Sequence, residues 1–227
     1  MPGDQMAGFQ IPLQIRLNDN ATFDNFYIAD NAQAVSLLQS QEPFVYLWST
    51  GAAGKTHLLQ AVCHQHRNAI YLPLTESRLW SPDIFEGLEQ HTVVCLDDVQ
   101  ALAGDAAWET GLFNLFNRVR EMQGRLLVTA NCSPASLPIR LADLASRLSW
   151  GVSLRLHELS DEQKVRALGM RAQARGFNMA EEAAGYLLKH CPRDLHSLFA
   201  ILDQLDDASL QAQRRISIPF IKQCLQI

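Results

Sequence analysis

The run Ser49-Thr50-Gly51-Ala52-Ala53-Gly54-Lys55-Thr56 has the residue types and spacing of a phosphate-binding loop. It follows an apolar stretch ending at Trp48 and precedes the helical pattern of His57, Leu58, Leu59, Gln60, Ala61 and Val62. A glycine-rich turn in that setting aims backbone amides at phosphate oxygens, at the positive end of a helix. Lys55 would bridge the β- and γ-phosphates, and the Thr56 hydroxyl would reach Mg²⁺. The candidate nucleotide contacts are therefore Thr50, Gly51, Ala52, Ala53, Gly54, Lys55, Thr56 and the adjoining His57, although the His57 side chain itself reads as helix surface. The usual pattern opens on Gly, and Ser49 stands there instead. The opening turn of the loop is expected to differ accordingly.

Four further positions could add chemistry. Asp97 and Asp98 end the apolar run Val93-Val94-Cys95-Leu96. Asp97 would hold Mg²⁺ directly or through water, and Asp98 is the candidate base or water-orienting carboxylate. A helix cap is the alternative for an Asp at such a place. Asn131, just behind another apolar run, could sense a γ-phosphate or the attacking water; a plain turn residue is the alternative. Arg147 precedes a strand and could act as an arginine finger in a neighbouring subunit; a surface ion pair is the alternative. Arg193 stands at a helix start, where the dipole opposes a cation. That placement suggests an anion holds it there, either a ligand or a nearby acid such as Asp194.

The elements that must position these residues can be read from periodicity. Apolar runs at 44–48, 69–73, 92–97, 125–130 and 152–156 predict buried strands, with stretches of helical length between them. Uninterrupted apolar strands alternating with helices imply a five-stranded parallel sheet covered on both faces, an α/β fold. From Ser160 the texture changes. Ser160-Asp161-Glu162-Gln163 is a capping box. Val165, Leu168 and Ala172 continue at helical spacing towards Gly176, and helices are expected over 181–190, from Leu195 to Leu205, and from Ser217. The expected organisation is an arm over 1–21, an α/β domain over 22–159 and a small all-α lid over 160–227.

Composition narrows the classes. The 227 residues carry 19 Lys+Arg against 24 Asp+Glu, a net charge of −5. No global positive field draws in nucleic acid. The hydrophobic share of 48% is that of a globular chain, not a disordered one. No apolar run approaches the ~20 residues that cross a bilayer, and no signal peptide is visible at the start. The five cysteines are spread out with no CxxC pair, which points to reduced thiols in the cytoplasm. The seven histidines show no metal-ligand spacing.

Together the loop, Asp97-Asp98, Asn131, Arg147 and Arg193 resemble the AAA+ ATPases in order and approximate spacing. Within them the chain resembles the DnaA family over roughly 22–227. The matching strings are Thr22-Phe23-Asp24-Asn25-Phe26, Gly54-Lys55-Thr56-His57-Leu58-Leu59, Leu96-Asp97-Asp98-Val99-Gln100 and Ser146-Arg147-Leu148-Ser149-Trp150-Gly151. Two features depart from the initiators themselves: the sequence stops at Ile227 without a helix-turn-helix domain, and Gln10-Ile11-Pro12-Leu13-Gln14-Ile15 looks like the peptide that docks on the bacterial sliding clamp. Physically that is an extended peptide with an anchoring amide, Gln10, and apolar plugs at Ile11, Leu13 and Ile15. The combination resembles the Hda family of DnaA-related regulators.

That resemblance implies a nucleotide-bound (ADP or ATP, with Mg²⁺) adaptor in the cytoplasm, reaching the nucleoid through its partners. It implies docking on the DNA-loaded clamp, contact with DNA only through the clamp, and stimulation of ATP hydrolysis on DnaA by Arg147 in trans. Arg193 would contact the protein's own nucleotide, and Phe26, Tyr27 and Ile28 would lie beside the base. Association of copies through AAA+ interfaces is a further implication. The expected role is negative control of chromosomal replication initiation, with weak intrinsic hydrolysis. Two other readings remain: a self-sufficient ATPase of helicase-loader type using Lys55, Asp97, Asp98 and Asn131, and a small-molecule kinase.

Overall fold

The computed structural model describes residues 17, 18 and 21–227. Gln10, Ile11, Leu13 and Ile15 lie outside the described residues. The five strands are β1 (Phe44–Trp48), β2 (Ala69–Pro73), β3 (Val93–Asp97), β4 (Arg125–Ala130) and β5 (Val152–Arg155). They form one parallel sheet in the order β2-β3-β4-β1-β5. Every residue of β3 and β4 is buried, as expected of central strands covered on both faces. Helices α1 (Ala32–Gln39) and α2 (Lys55–Gln65) cover one face. Helices α3 (Ala106–Glu121) and α4 (Ala142–Leu148) cover the other.

The order places β4 between β1 and β3, so the loop after β1 and the acids after β3 open on the same carboxyl-end edge with Thr129 and Asn131 between them. Ligands of parallel α/β sheets bind along that edge. One sequence expectation is corrected here. The stretch between β2 and β3 is of helical length but holds no α-helix. It forms three short 3₁₀ turns, Leu74–Leu79, Pro82–Phe85 and Leu88–Gln90. Pro82 removes a helix donor and Gly87 takes a left-handed φ of 80°, so the turns cannot merge.

Beyond β5 the chain forms α5 (Asp161–Ala174), α6 (Glu181–His190), α7 (Leu195–Ala212) and α8 (Ile218–Leu225). The capping box is formed: Gln163 N donates to Ser160 Oγ at 3.2 Å, and Ser160 N donates to Gln163 Oε1 at 2.8 Å. These helices bury their own cluster, including Leu168, Leu187, Leu198, Leu202 and Phe220. Each such side chain contributes roughly 1.5–3 kcal/mol of burial, which is what lets a unit of this size hold together. Asn31, 2% exposed, ties the N-terminal segment to the joint between sheet and lid. Its amide accepts from His157 N at 2.8 Å and donates to His157 O at 2.9 Å.

Candidate nucleotide site

Ser49 explains how the loop tolerates the missing glycine. Its side chain is buried, its hydroxyl donates to Gly51 O at 2.7 Å, and it accepts from Lys55 Nζ at 2.8 Å. Lys55 also donates to Ser49 O at 3.2 Å and Gly51 O at 3.3 Å. The loop thus folds back on its own lysine. Gly54 closes it at φ 85° as the N-cap of α2, and a Cβ there would lie 2.7 Å from Phe26 Cε2. Only glycine allows both the left-handed turn and the close approach of that ring.

Asp97 is the most constrained acid in the site. Its side chain is buried, and three hydroxyls converge on it. Thr56 Oγ1 donates to Oδ2 at 2.6 Å, Tyr71 donates to Oδ2 at 2.8 Å, and Thr129 Oγ1 donates to Oδ1. Burial first, and then the Asp97 charge, push the Tyr71 phenol well above its ordinary range, so it remains a donor. The first turn of α2 is thereby bonded to the end of β3.

Asp98 sits in the left-handed region at φ 61°. Its amide donates to Thr129 Oγ1 at 2.9 Å, and its carboxylate accepts from Gln100 Nε2 at 2.9 Å. Gln100 Oε1 in turn accepts from Asn131 N at 3.1 Å. Asn131 therefore joins Asp98 through its backbone and Gln100, while its side chain is exposed. Thr129 and Gln100 were not singled out from the sequence. Thr129 is a polar residue inside an apolar strand, and that break in the pattern was the available signal.

A cavity of about 590 Å³ opens between this edge, the N-terminal segment and the lid. Ala52, Ala53, Gly54, Lys55, Thr56, His57 and Asp98 form its phosphate-loop side, and Phe26 and Tyr27 line it as well. Thr50, Gly51 and Ile28 do not line it; Gly51 instead packs against the Glu158 carboxylate, and Ile28 is exposed. Asp97 does not line it and is tied to it through Thr56 and the adjoining Asp98. The His57 ring bonds Thr22 O at 2.8 Å and lies 5.4 Å from the Phe26 ring. Burial holds its pKa below the ordinary value, with nearby Arg171 and His64 adding to the effect and the Thr22 bond opposing it.

The two sequence-selected arginines are not brought to this cavity. Arg193 is exposed and sits 3.5 Å from Asp161 Oδ2. Asp194 is the N-cap of α7, accepting from Ser197 N at 2.8 Å. The lid presents Arg171 of α5 to the cavity instead, with Leu195, His196, Phe199 and Asp203 of α7. Arg147 lies in the last turn of α4, beside edge strand β5, with its guanidinium 5.9 Å from the Phe116 ring centre. Among the described residues it has no ion-pair partner.

The family profile described as "Hda, lid domain" matches residues 161–225, and that of the bacterial DnaA ATPase domain matches 83–155. A Haemophilus influenzae protein, itself uncharacterized, is 43% identical over 96% of this chain and 99% of its own. The chain belongs to the Hda-like family of DnaA-related AAA+ proteins. This Hda-like membership ties it to the regulation of replication initiation. Domain III of Thermotoga maritima DnaA superposes with a TM-score of 0.75 at 18% identity, covering 93% of this chain and 98% of that one. AMPPCP-bound Aquifex aeolicus DnaA gives 0.68 at 19% identity, covering 87% and 69%. The Thermotoga maritima RuvB branch-migration motor gives 0.62 at 16% identity, covering 88% and 66%. At such identities these three establish the AAA+ fold of this Hda-like chain. No helix among its described residues is long and apolar enough to cross a membrane.

Proposed function

We propose that this chain is a nucleotide-stabilised adaptor that stimulates ATP hydrolysis on a DnaA-type initiator, and so restrains replication initiation. The observation that carries the reading is the separation of two chemistries. The phosphate loop and Asp98 line a cavity, whereas Arg147 sits outside that cavity, in the last turn of α4 ahead of edge strand β5, without an acidic partner among the described residues. An arginine so placed cannot serve its own site and suits a neighbour's, where such a finger is worth 10³–10⁵-fold. Docking of Gln10, Ile11, Leu13 and Ile15 on the DNA-loaded sliding clamp would raise the local concentration next to the initiator. The same edge could also meet a second copy of this chain.

The cavity would hold ADP or ATP, with its phosphates on the loop amides and Lys55. The residues fit Mg²⁺ as well. Thr56 Oγ1 and Asp97 Oδ2, 2.6 Å apart, are hard oxygen donors at the foot of the cavity, and Mg²⁺ takes few protein ligands beside phosphate and water. Bound there, Mg²⁺ would neutralise phosphate charge. Thr56 and Asp97 would orient it, and Tyr71 and Thr129 would hold the carboxylate in place.

The test is a four-component hydrolysis assay: this protein, DnaA loaded with labelled ATP, clamp and DNA, each omitted in turn. ADP formation on DnaA that needs both this protein and the clamp is expected, and Arg147→Ala should abolish it. Gln10→Ala should weaken clamp binding. Because Asp98 lines the cavity, a second reading is a self-sufficient, loader-type ATPase. Steady hydrolysis by this protein alone, with nothing added on DnaA, would replace the adaptor by that enzyme.

A further inference from the structure

The cavity has a second half-buried cation besides Lys55, and it comes from the lid. The Arg171 side chain is only 11% exposed and lines the cavity. Its guanidinium lies over the Phe199 ring at 4.6 Å, and its Nη2 is 3.8 Å from Asp203 Oδ2. Asp203 is shared: Arg175 Nη2 approaches its other oxygen at 2.8 Å, and Arg175 also reaches Asp206 at 3.4 Å. Arg175 thus takes the closer share of the acid, and Arg171 keeps charge to offer elsewhere. Arg171 Nε is buried with no hydrogen-bond partner among the described residues. A buried donor left unmade is costly. Burial also holds the Arg171 pKa below its ordinary value, with Asp203 opposing the effect and Arg175 adding to it.

The surroundings say which part of a ligand arrives there. Anion-binding amides and Lys55 belong to the loop side of the cavity, and Arg171 to the lid side. The lid wall that includes Arg171 carries apolar Ala167, Met170, Phe199 and Ala200, suited to a flat ring, beside polar His196 and Asp203. Phe26 faces the cavity from the N-terminal segment. A heteroaromatic ring with acceptor atoms fits such a slot. We propose that the Arg171 guanidinium donates to a ring-nitrogen or carbonyl acceptor of the nucleobase, so that the lid supplies the base-dependent part of nucleotide affinity. Asp203, which lines the same wall, offers an acceptor for an exocyclic amine. The inference rests on the cavity being the nucleotide site. It makes Arg171 a contact between the lid and the nucleotide.

The test compares ADP, GDP, CDP, UDP and pyrophosphate by calorimetry on the full chain, for the wild type, Arg171→Met and Arg171→Lys. Both variants should lose about ten- to hundredfold in ADP affinity, flatten the ranking of the four bases, and bind pyrophosphate as the wild type does. Arg171→Lys keeps the charge beside Asp203, so the lid stays assembled even if the Met variant loosens it; melting of the unliganded proteins checks this. Equal losses for ADP and pyrophosphate would make Arg171 a phosphate ligand and overturn the proposal. Unchanged ADP affinity, or full rescue by Lys, would overturn it too. If the wild type binds neither ADP nor pyrophosphate, the nucleotide site itself is wrong, an outcome distinct from the other three.

Discussion

Thr56 Oγ1 donates to Asp97 Oδ2 at 2.6 Å, so the first turn of α2 and the end of β3 are bonded through the site's own side chains. Tyr71 and Thr129 add donors to the same carboxylate. An arrangement with donors on both oxygens needs an acceptor on both. Asp97→Asn keeps the shape but turns one oxygen into an NH₂ that faces a hydroxyl. We expect a stability loss of about 1–3 kcal/mol and a loss of the Mg²⁺-dependent part of ADP affinity. Urea unfolding measures the first. ADP titration with and without EDTA measures the second, and an EDTA effect as large in the variant as in the wild type would remove Asp97 from the metal site.

Glu109, 1% exposed, is the joint between the acidic loop and the helix that carries Arg147. Its carboxylate accepts from Gly104 N at 2.7 Å, from Arg140 N at 3.0 Å and from Leu141 N at 2.8 Å. Gly104 follows the 3₁₀ turn Val99–Leu102 behind Asp98, while Arg140 and Leu141 open α4. Glu109→Gln puts a donor among these amides. The expected cost is about 1–3 kcal/mol, with a fall in maximal stimulation of the initiator rather than in ADP binding. Wild-type unfolding and wild-type stimulation together would show that α4 needs no such anchor.

The depressed pKa of His57 makes stability depend on pH. Burial is the main cause, His64 and Arg171 add to it, and the Thr22 bond opposes it. The unfolded chain therefore takes up the proton first as pH falls through 6.5, the ordinary value. Stability from this group is complete above that pH and declines below it. His91 is depressed by burial too and acts in the same direction. Urea midpoints should fall between about pH 6.5 and 5, and His57→Gln should flatten part of that slope. A wild-type midpoint that rises on acidification would refute the assignment.

The strands, the loop and the acidic pair could be read from sequence because each is local. Apolar runs mark buried parallel strands, and a glycine turn before a helix marks an anion site. Polar satisfaction is not local. Thr129, Gln100, Asn31 and Glu109 acquire their partners from distant segments, so nothing in their immediate neighbours announces them. The lid arginine shows the same limit. A cation at the start of α7 pointed to Arg193, but Asp161 of α5 stands beside it. Arg171, mid-helix and unremarkable in sequence, is the one that packing turns into the cavity. The stretch from Leu74 to Gln90 had a helix's length but Pro82 and Gly87 inside it, and breakers outweighed length.

The edge that carries Arg147 depends on one backbone position. Gly151 has φ 89°, and a Cβ there would lie 2.8 Å from Phe44 O, a backbone atom of β1 that cannot move aside. The residue just before it, Trp150, is 49% exposed and meets the Phe116 ring at 6.2 Å, and Arg147 approaches that ring at 5.9 Å. Phe116 itself packs on Phe44 at 5.0 Å. Gly151→Ala adds left-handed strain of about 1–2 kcal/mol and a clash that pushes β5 from β1. Trp150 and Arg147 should then leave Phe116. The expected result is a lower melting temperature, stronger acrylamide quenching of tryptophan fluorescence and weakened stimulation of the initiator, with ADP affinity retained because Gly151 meets the amino end of β1 and the phosphate loop follows its carboxyl end. Loss of ADP affinity in step with stimulation would mean that the edge and the cavity are one mechanical unit, and that Arg147 cannot be perturbed apart from the nucleotide site.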